Sequence, residues 1–249
     1  MWPRRSETLA IGLSSGEIAW RLTEDPSLTT SRAAYSIESE SLAATGLAVP
    51  LSRRLSALHV VAGSSVARHW IQTPPPGIRS LAELRGLVQS RAEQLFGSDA
   101  GWVVAGDWNA TQPFLCATVP RAVDSLATSV AKETGGHADV STSLTRALDR
   151  HAHQLPADGW AALHEPEALH CLYISCGNLV HLRTTVVPAG LRGQELELAM
   201  KSEIDRSAAL AGGLPTNPVV RLSLGGSPSE TQAHTALGLA STRRAHRAT

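Results

Sequence analysis

An α/β fold, built from paired strands followed by helices, is predicted by three features of the sequence. The stretch from Leu58 to Phe96 changes its hydrophobic period part-way: apolar residues first recur as in a strand, then, beyond Pro74-Pro75-Pro76, every three or four residues as in a helix. The order strand, strand, helix then recurs along the chain. Two similar segments, Ile11-Gly12-Leu13-Ser14-Ser15-Gly16 and Leu172-Tyr173-Ile174-Ser175-Cys176-Gly177, each close a strand on Ser-x-Gly about 160 residues apart, which points to a duplicated unit.

With 249 residues, 43% of them hydrophobic, the chain can bury a substantial core and form one large or two small domains. Lys plus Arg equals Asp plus Glu, 22 against 22, and no dense run of either sign occurs, which argues against a nucleic-acid surface. The one basic cluster, Arg243, Arg244 and Arg247, lies in a small, polar tail that reads as a frayed end. No apolar run approaches the ~18 residues of a membrane span, and Met1-Trp2-Pro3-Arg4-Arg5 has no apolar core behind it to make a signal peptide. A cytoplasmic chain is expected. Cys116, Cys171 and Cys176 form an odd set without CxxC spacing, so neither a disulfide framework nor a zinc site is suggested, and their apolar contexts predict buried, inert thiols.

Leu9 to Leu13 reads as a buried strand, Ser14-Ser15-Gly16 as a turn, and Glu17 to Leu22 as an alternating strand with Ile18, Trp20 and Leu22 on one face. Between Asp25 and Ala57 the pattern is ambiguous, with a third strand near Ala34 to Ile37 and one or two short helices after Ser39. Leu58, Val60 and Val61 then meet Gly63-Ser64-Ser65, and alternation resumes at Val66, His69, Trp70 and Ile71, which has the form of a hairpin. The three prolines forbid further pairing. Ser80 and Glu83 make a capping box for a helix with Leu81, Leu84, Leu87, Val88, Arg91 and Leu95 near one face.

Trp102 to Trp108 and Pro113 to Val119 read as two strands joined by Asn109-Ala110-Thr111-Gln112. Pro120 suits a first helical turn, and the stripe Val123, Leu126, Ala127, Val130 and Ala131 stops at Gly135-Gly136. A short strand around Ala138 to Val140 and a helix holding Leu144, Ala147, Leu148 and His151 follow. Ala168 to Ser175 and Leu179 to Val187 form a further strand pair across Cys176-Gly177-Asn178. Glu195 to Leu210 is a helix with Leu198, Ala199, Ser202, Ile204 and Ala208 available for packing. Val219 to Leu224 is a strand ending at Gly225-Gly226-Ser227, and a small-residue helix is expected from Ser229 to Leu239.

None of the isolated polar groups makes a strong case for chemistry. Asp107, at a strand end, reads as a turn cap. His164-Glu165 with His170 lacks the HExxH spacing, and Pro166 interrupts any helix that would align zinc ligands. His151 and His153 would diverge on a helix. Gly225-Gly226-Ser227 reads as a strand-to-helix turn before a phosphate cradle, and no GxSxG elbow is present. Trp70, Trp102 and Trp108 are expected mainly in the core, with at least one facing a partner, and the strand Val66 to Thr73 is expected at a sheet edge that can accept a partner strand.

The ordered series VVAGSSVARHWIQTPP, SLAELRGLVQSRAEQLFG, WVVAGDW, FLCATVPRAVDSLATSVAKETGGHADVSTSLTRAL, KSEIDRS and LSLGGS resembles the PilM family of type IV pilus assembly and the related GspL cytoplasmic domain of type II secretion, from Leu9 to about Ser227. That resemblance implies a degenerate actin-like (duplicated RNase H-like) fold with an inserted α+β subdomain and a reduced second half. Its expected divisions are residues 1–66 with 136–160 as a first subdomain, 67–135 as the insertion, 161–235 as the second subdomain and 236–249 as a tail. Actin-like ATPases place an Asp-x-Gly turn in each half against the nucleotide phosphates. Here the resemblance implies degenerate turns at Ser14, Gly16, Ser175 and Gly177, with Gly225 and Gly226 near the end, where neutral serines cannot supply the carboxylates that organise hydrated magnesium.

The short passage from Pro188 to Lys201 implies that the subdomain walling one side of the cleft is missing. No cofactor, metal or catalytic residue is expected. The resemblance instead implies a non-catalytic cytoplasmic scaffold, peripheral to the inner membrane, that links a bitopic PilN-like protein to the assembly ATPase. Homodimerisation stays open, as do two alternatives: a nucleotide-binding actin-like ATPase, and the cytoplasmic fragment of a GspL-like membrane protein. Val66, Trp70, Arg85 and Arg91 are the expected partner-binding residues.

Overall fold

A computed structural model describes residues 7–14, 16–22, 31–34, 55–99, 101–216 and 218–223. In chain order the strands and helices are β1 (Glu7–Ser14), β2 (Glu17–Leu22), β3 (Ser31–Ala34), β4 (Leu55–Ala62), β5 (Arg68–Gln72), α1 (Leu81–Phe96), β6 (Trp102–Gly106), β7 (Phe114–Pro120) and α2 (Arg121–Thr134). They continue with β8 (His137–Thr142), α3 (Ser143–His151), a 3-10 turn, β9 (Gly159–Glu165), β10 (Ala168–Ser175), β11 (Asn178–Val186), α4 (Gly193–Leu210) and β12 (Val219–Ser223). The described residues fall into two compact units, one within 1–67 and 119–150, the other within 68–118 and 151–225.

The first unit is a five-stranded sheet in the order β3-β2-β1-β4-β8. β1, β2 and β3 form an antiparallel meander, whereas β4 lies parallel between β1 and β8. A central parallel strand has both faces covered, which is why Leu58, Val60, Val61 and Ala62 are all buried and the run shows no strict alternation. α2 packs on β4 and β8 through Val123, Leu126, Ala127 and Val130, and ends at Gly135 in the left-handed region with φ 69°. The third strand lies at Ser31–Ala34, ahead of the expected Ala34 to Ile37, and the expected helices after Ser39 fall outside the described residues.

The second unit holds a four-stranded sheet, β11-β10-β9-β12, and a three-stranded one, β5-β7-β6. β9, β10 and β11 form an antiparallel meander, with β12 parallel to β9 and α4 packed on β9 and β10. β9 is buried along its whole length and was not legible as a strand in the sequence. Its Trp160 is fully buried, with Nε1 donating to Pro215 O at 2.8 Å and the ring against Tyr173 at 5.1 Å. Gly159 must be glycine: its φ is +128°, and a Cβ there would lie 2.7 Å from Pro218 O. α1 covers the three-stranded sheet with Leu84, Val88 and Ala92, closing a core with Trp70, Trp102, Phe114 and Cys116.

Several expectations are corrected. Residues 58–71 do not form a hairpin: β4 is hydrogen-bonded in the first sheet, while β5 pairs with β7 in another. The turn between them is nevertheless tight, with Gly63 N donating to Leu13 O at 2.8 Å and Val66 and Ala67 N donating to Gly63 O at 2.9 and 2.7 Å. α2, assigned to the insertion, packs on the first sheet, so the inserted piece is β5-α1-β6-β7; residues 159–160, assigned to the first subdomain, begin β9 in the second sheet. On the helices, Leu81, Leu95 and Leu198 face outward, and Met200, Ile204, Ser207 and Ala208 carry the packing of α4. The connection 187–192 from β11 to α4 is as short as the sequence indicates.

Candidate functional site

The turn between β1 and β2 is a two-residue hairpin closed by Ser14 opposite Glu17, with Gly16 at φ +94°. Ser14 is buried, and its hydroxyl donates to Glu17 O at 3.4 Å, so it serves the turn itself.

The turn at Ser175 is similar in kind but different in place. Ser175 pairs with Asn178 around Cys176 at φ 50° and Gly177 at φ 75°. Asp158 Oδ1 accepts from Cys176 N at 2.8 Å and from the Ser175 hydroxyl at 3.4 Å, and Gly177 N donates to Ala157 O at 2.8 Å. This turn joins the second and third strands of its meander and sits beside the start of β9. The first unit's Ser14 turn joins strands one and two, at the end of the strand that neighbours the parallel strand. Its topological counterpart in the second unit is therefore the β9–β10 turn, Glu165-Pro166-Glu167-Ala168. The expected pairing of Ser14 with Ser175 is corrected: without β9 recognised, β10 reads as the first strand of its half.

At this counterpart turn Glu165 is buried, with Oε1 3.2 Å from His170 Nε2, and His170 Nδ1 lies 2.9 Å from the Thr184 hydroxyl. The edge of the His69 ring meets His170 at 5.9 Å between centroids. Burial, reinforced by the neighbouring His170, lowers the His69 pKa to about 3, and burial also lowers that of His164. Among the described residues no group of three His, Cys, Asp or Glu side chains is placed to hold a metal.

The expected partner-binding residues divide. Val66 and Trp70 are buried at 2% and 8% exposure: Val66 lies in the tight turn after β4, and Trp70 on β5 packs into the core under α1. Arg85 and Arg91 are exposed on α1; Arg91 Nη1 donates to Gln94 Oε1 at 3.5 Å, and the Arg85 guanidinium lies 5.3 Å from the Trp108 ring centroid. Arg85, Gly86, Gln89, Val104, Ala105 and Trp108 line a groove of about 530 Å³ between α1 and β6. Gly225 and Gly226 lie outside the described residues. Cys116 and Cys171 are buried, and burial pushes both thiols up to about 12, whereas Cys176 is exposed, contrary to expectation. The cap expected of Asp107 is made by Asn109, whose Oδ1 accepts from Thr111 N at 2.8 Å and Gln112 N at 3.0 Å.

Neither a family model nor a curated protein matches the sequence. Solved structures do. A Bacteroides thetaiotaomicron protein with an actin-like ATPase fold and unknown function aligns over 94% of this chain and 88% of its own, with TM-score 0.55 and 11% identity. The cytoplasmic domain of EpsL, an inner-membrane component of the Vibrio cholerae type II secretion system, aligns over 94% and 95%, with TM-score 0.51 and 14% identity. A chain of the PilM–PilN type IV pilus biogenesis complex aligns over 95% and 87%, with TM-score 0.54 and 11% identity. The chain has the actin-like fold.

The two meanders with their parallel fourth strands are the repeat of this actin-like chain, and the three-stranded sheet with α1 is inserted between β4 and α2. Sequence reasoning weighed Glu165 only as a zinc ligand with His164 and His170, set it aside on spacing, and so missed its place at the counterpart turn. The signal that could have found it is Gly159-Trp160-Ala161-Ala162-Leu163, an apolar run ahead of a proline turn with Leu169 resuming after it.

Proposed function

We propose that this actin-like chain is a non-catalytic scaffold of a type IV pilus or type II secretion assembly platform. It would join a bitopic inner-membrane subunit to the cytoplasmic assembly ATPase by protein contacts without turnover. The fold likeness to PilM, solved with PilN, and to the EpsL cytoplasmic domain supports this role. Among the described residues no helix is long and apolar enough to cross a membrane. Recruitment by a separate membrane protein is part of the proposal, on the likeness to the PilM–PilN complex.

The observation that carries the non-catalytic reading is the chemistry of the two corresponding turns. One has Ser14, whose hydroxyl is used within its own hairpin. The other has a carboxylate, Glu165, but it is buried against His170, beside a proline that has no N–H to donate and a second carboxylate, Glu167, that repels anions. Magnesium-bound phosphate needs oxygen ligands that are exposed and N–H groups that are unspent. Neither turn offers both.

Thermal melting with magnesium-ATP tests this. At a hundred-fold excess over Kd, a bound nucleotide contributes ~2.7 kcal/mol, which raises Tm by roughly 5–10 °C in a chain of this size. The expected result at millimolar nucleotide is no shift. A shift of several degrees that disappears in Gly16→Val would overturn the non-catalytic reading and favour an actin-like ATPase.

A further inference from the structure

Three features meet at the groove between α1 and β6. Gly86 sits in the interior of α1, where glycine destabilises a helix relative to alanine, yet a Cβ built there meets nothing within 4 Å. No neighbour of its own unit requires the missing side chain. Trp108 holds φ 50°, a left-handed backbone that a bulky aromatic residue rarely adopts. Strain of this kind concentrates where side chains are held for a ligand, and here it sets the indole at the groove wall, against Phe114 with centroids 6.3 Å apart. Arg85, poised over that indole, makes no ion pair among the described residues, although it is exposed beside an apolar surface.

The backbone beside the groove is also available. β6 is the outer strand of its sheet in the order β5-β7-β6. Val103 O accepts from the Thr118 hydroxyl at 2.9 Å and Asp107 N donates to Leu115 O at 3.4 Å, so the odd-numbered residues face β7. Strand alternation therefore turns the N–H and C=O of Val104 to the open edge. At one end Gln89 Nε2 donates to Trp102 O at 3.2 Å and to Glu93 Oε1 at 2.9 Å, which closes that end with a fixed side chain. The groove of about 530 Å³ lies within the range of specific ligand sites, roughly 300–1,000 Å³.

We propose that this groove docks an extended, acidic segment of a partner protein. The segment's main chain adds to β6 at Val104, a small apolar side chain occupies the space over Gly86, and an adjacent Asp or Glu pairs with Arg85. Charge complementarity selects this occupant: a guanidinium held on an aromatic face is preorganised for a carboxylate, and an edge strand is preorganised for a strand. The inference rests on the scaffold reading, of which it names one docking surface.

The test is selection of a phage-displayed random peptide library on the intact chain, repeated on Arg85→Gln and Gly86→Leu. Leucine at position 86 favours the helix and fills the groove, and thermal melting checks that each variant is folded. The expected outcome is a consensus with an acidic residue next to a small apolar one, whose synthetic peptide loses at least ten-fold in affinity to Arg85→Gln and all measurable binding to Gly86→Leu. No enrichment, a consensus without acid, or binding retained by folded Gly86→Leu would overturn the proposal. Should Gly86→Leu fail to fold, Arg85→Gln decides alone. Self-association abolished by Arg85→Gln in sedimentation experiments would make the occupant a second copy and likewise overturn it. Failure here, with a membrane partner still captured by the intact chain, removes this surface and leaves the scaffold reading standing.

Discussion

His69 is the side chain whose protonation state the fold constrains most visibly. Its ring meets His170 and lies close to Glu165, with Arg68 beside it, and burial holds its pKa near 3 against about 6.5 in an unfolded chain. The folded chain thus refuses a proton that the unfolded chain accepts. Stability is unaffected by this group above pH ~6.5 and falls progressively as pH drops from there toward 3. His164 and His181, lowered mainly by burial, act in the same direction. Urea midpoints measured between pH 7.5 and 4.5 are expected to fall on acidification, and less steeply in His69→Gln. An identical slope in the variant would remove His69 from this role. Little of this is legible in the sequence: His69 and His170 are about a hundred residues apart, and the fold brings β5 alongside the paired β10 and β11.

Elements whose start and stop signals are local were read well. α1 begins where Ser80 and Glu83 indicate: Ser80 Oγ accepts from Glu83 N at 3.1 Å, although the glutamate reaches Arg79 N at 2.8 Å, one residue before the cap. Ser80→Ala is expected to destabilise the second unit by about 1 kcal/mol, read as a lower urea midpoint, with Ser80→Thr recovering most of the loss. No change in Ser80→Ala would mean that packing of Leu84, Val88 and Ala92 alone holds the helix start. Two failures have separate causes. A glycine turn between apolar runs cannot reveal whether the next strand joins the same sheet, so β4 and β5 read as a hairpin in sequence. A strand buried on both faces has no period-two signal, so β9 was passed over and the later hairpin took its place in the repeat.

At the scale of the molecule, the duplication was visible in the sequence, but its alignment was displaced by one strand. With that displacement the two corresponding turns carry not a pair of serines but Ser14 and a buried Glu165–His170 contact. The Ser14 hydroxyl is used within its own hairpin and Glu165 is buried against His170, the geometry on which the scaffold proposal rests. On the inserted sheet α1 leaves Arg85 exposed over the Trp108 ring, whereas Val66 and Trp70, which look equally suitable in sequence, are buried. Hydrophobic pattern marks a residue as apolar; only the fold says which side of it is covered.

The most direct measurement is affinity capture on the intact chain from detergent-solubilised membranes of the source organism, with bound proteins identified by mass spectrometry. A scaffold of an assembly platform should retain a single-span inner-membrane protein together with the assembly ATPase, unchanged by added magnesium-ATP. Recovery of no bitopic protein, from a folded chain that magnesium-ATP stabilises, would contradict it.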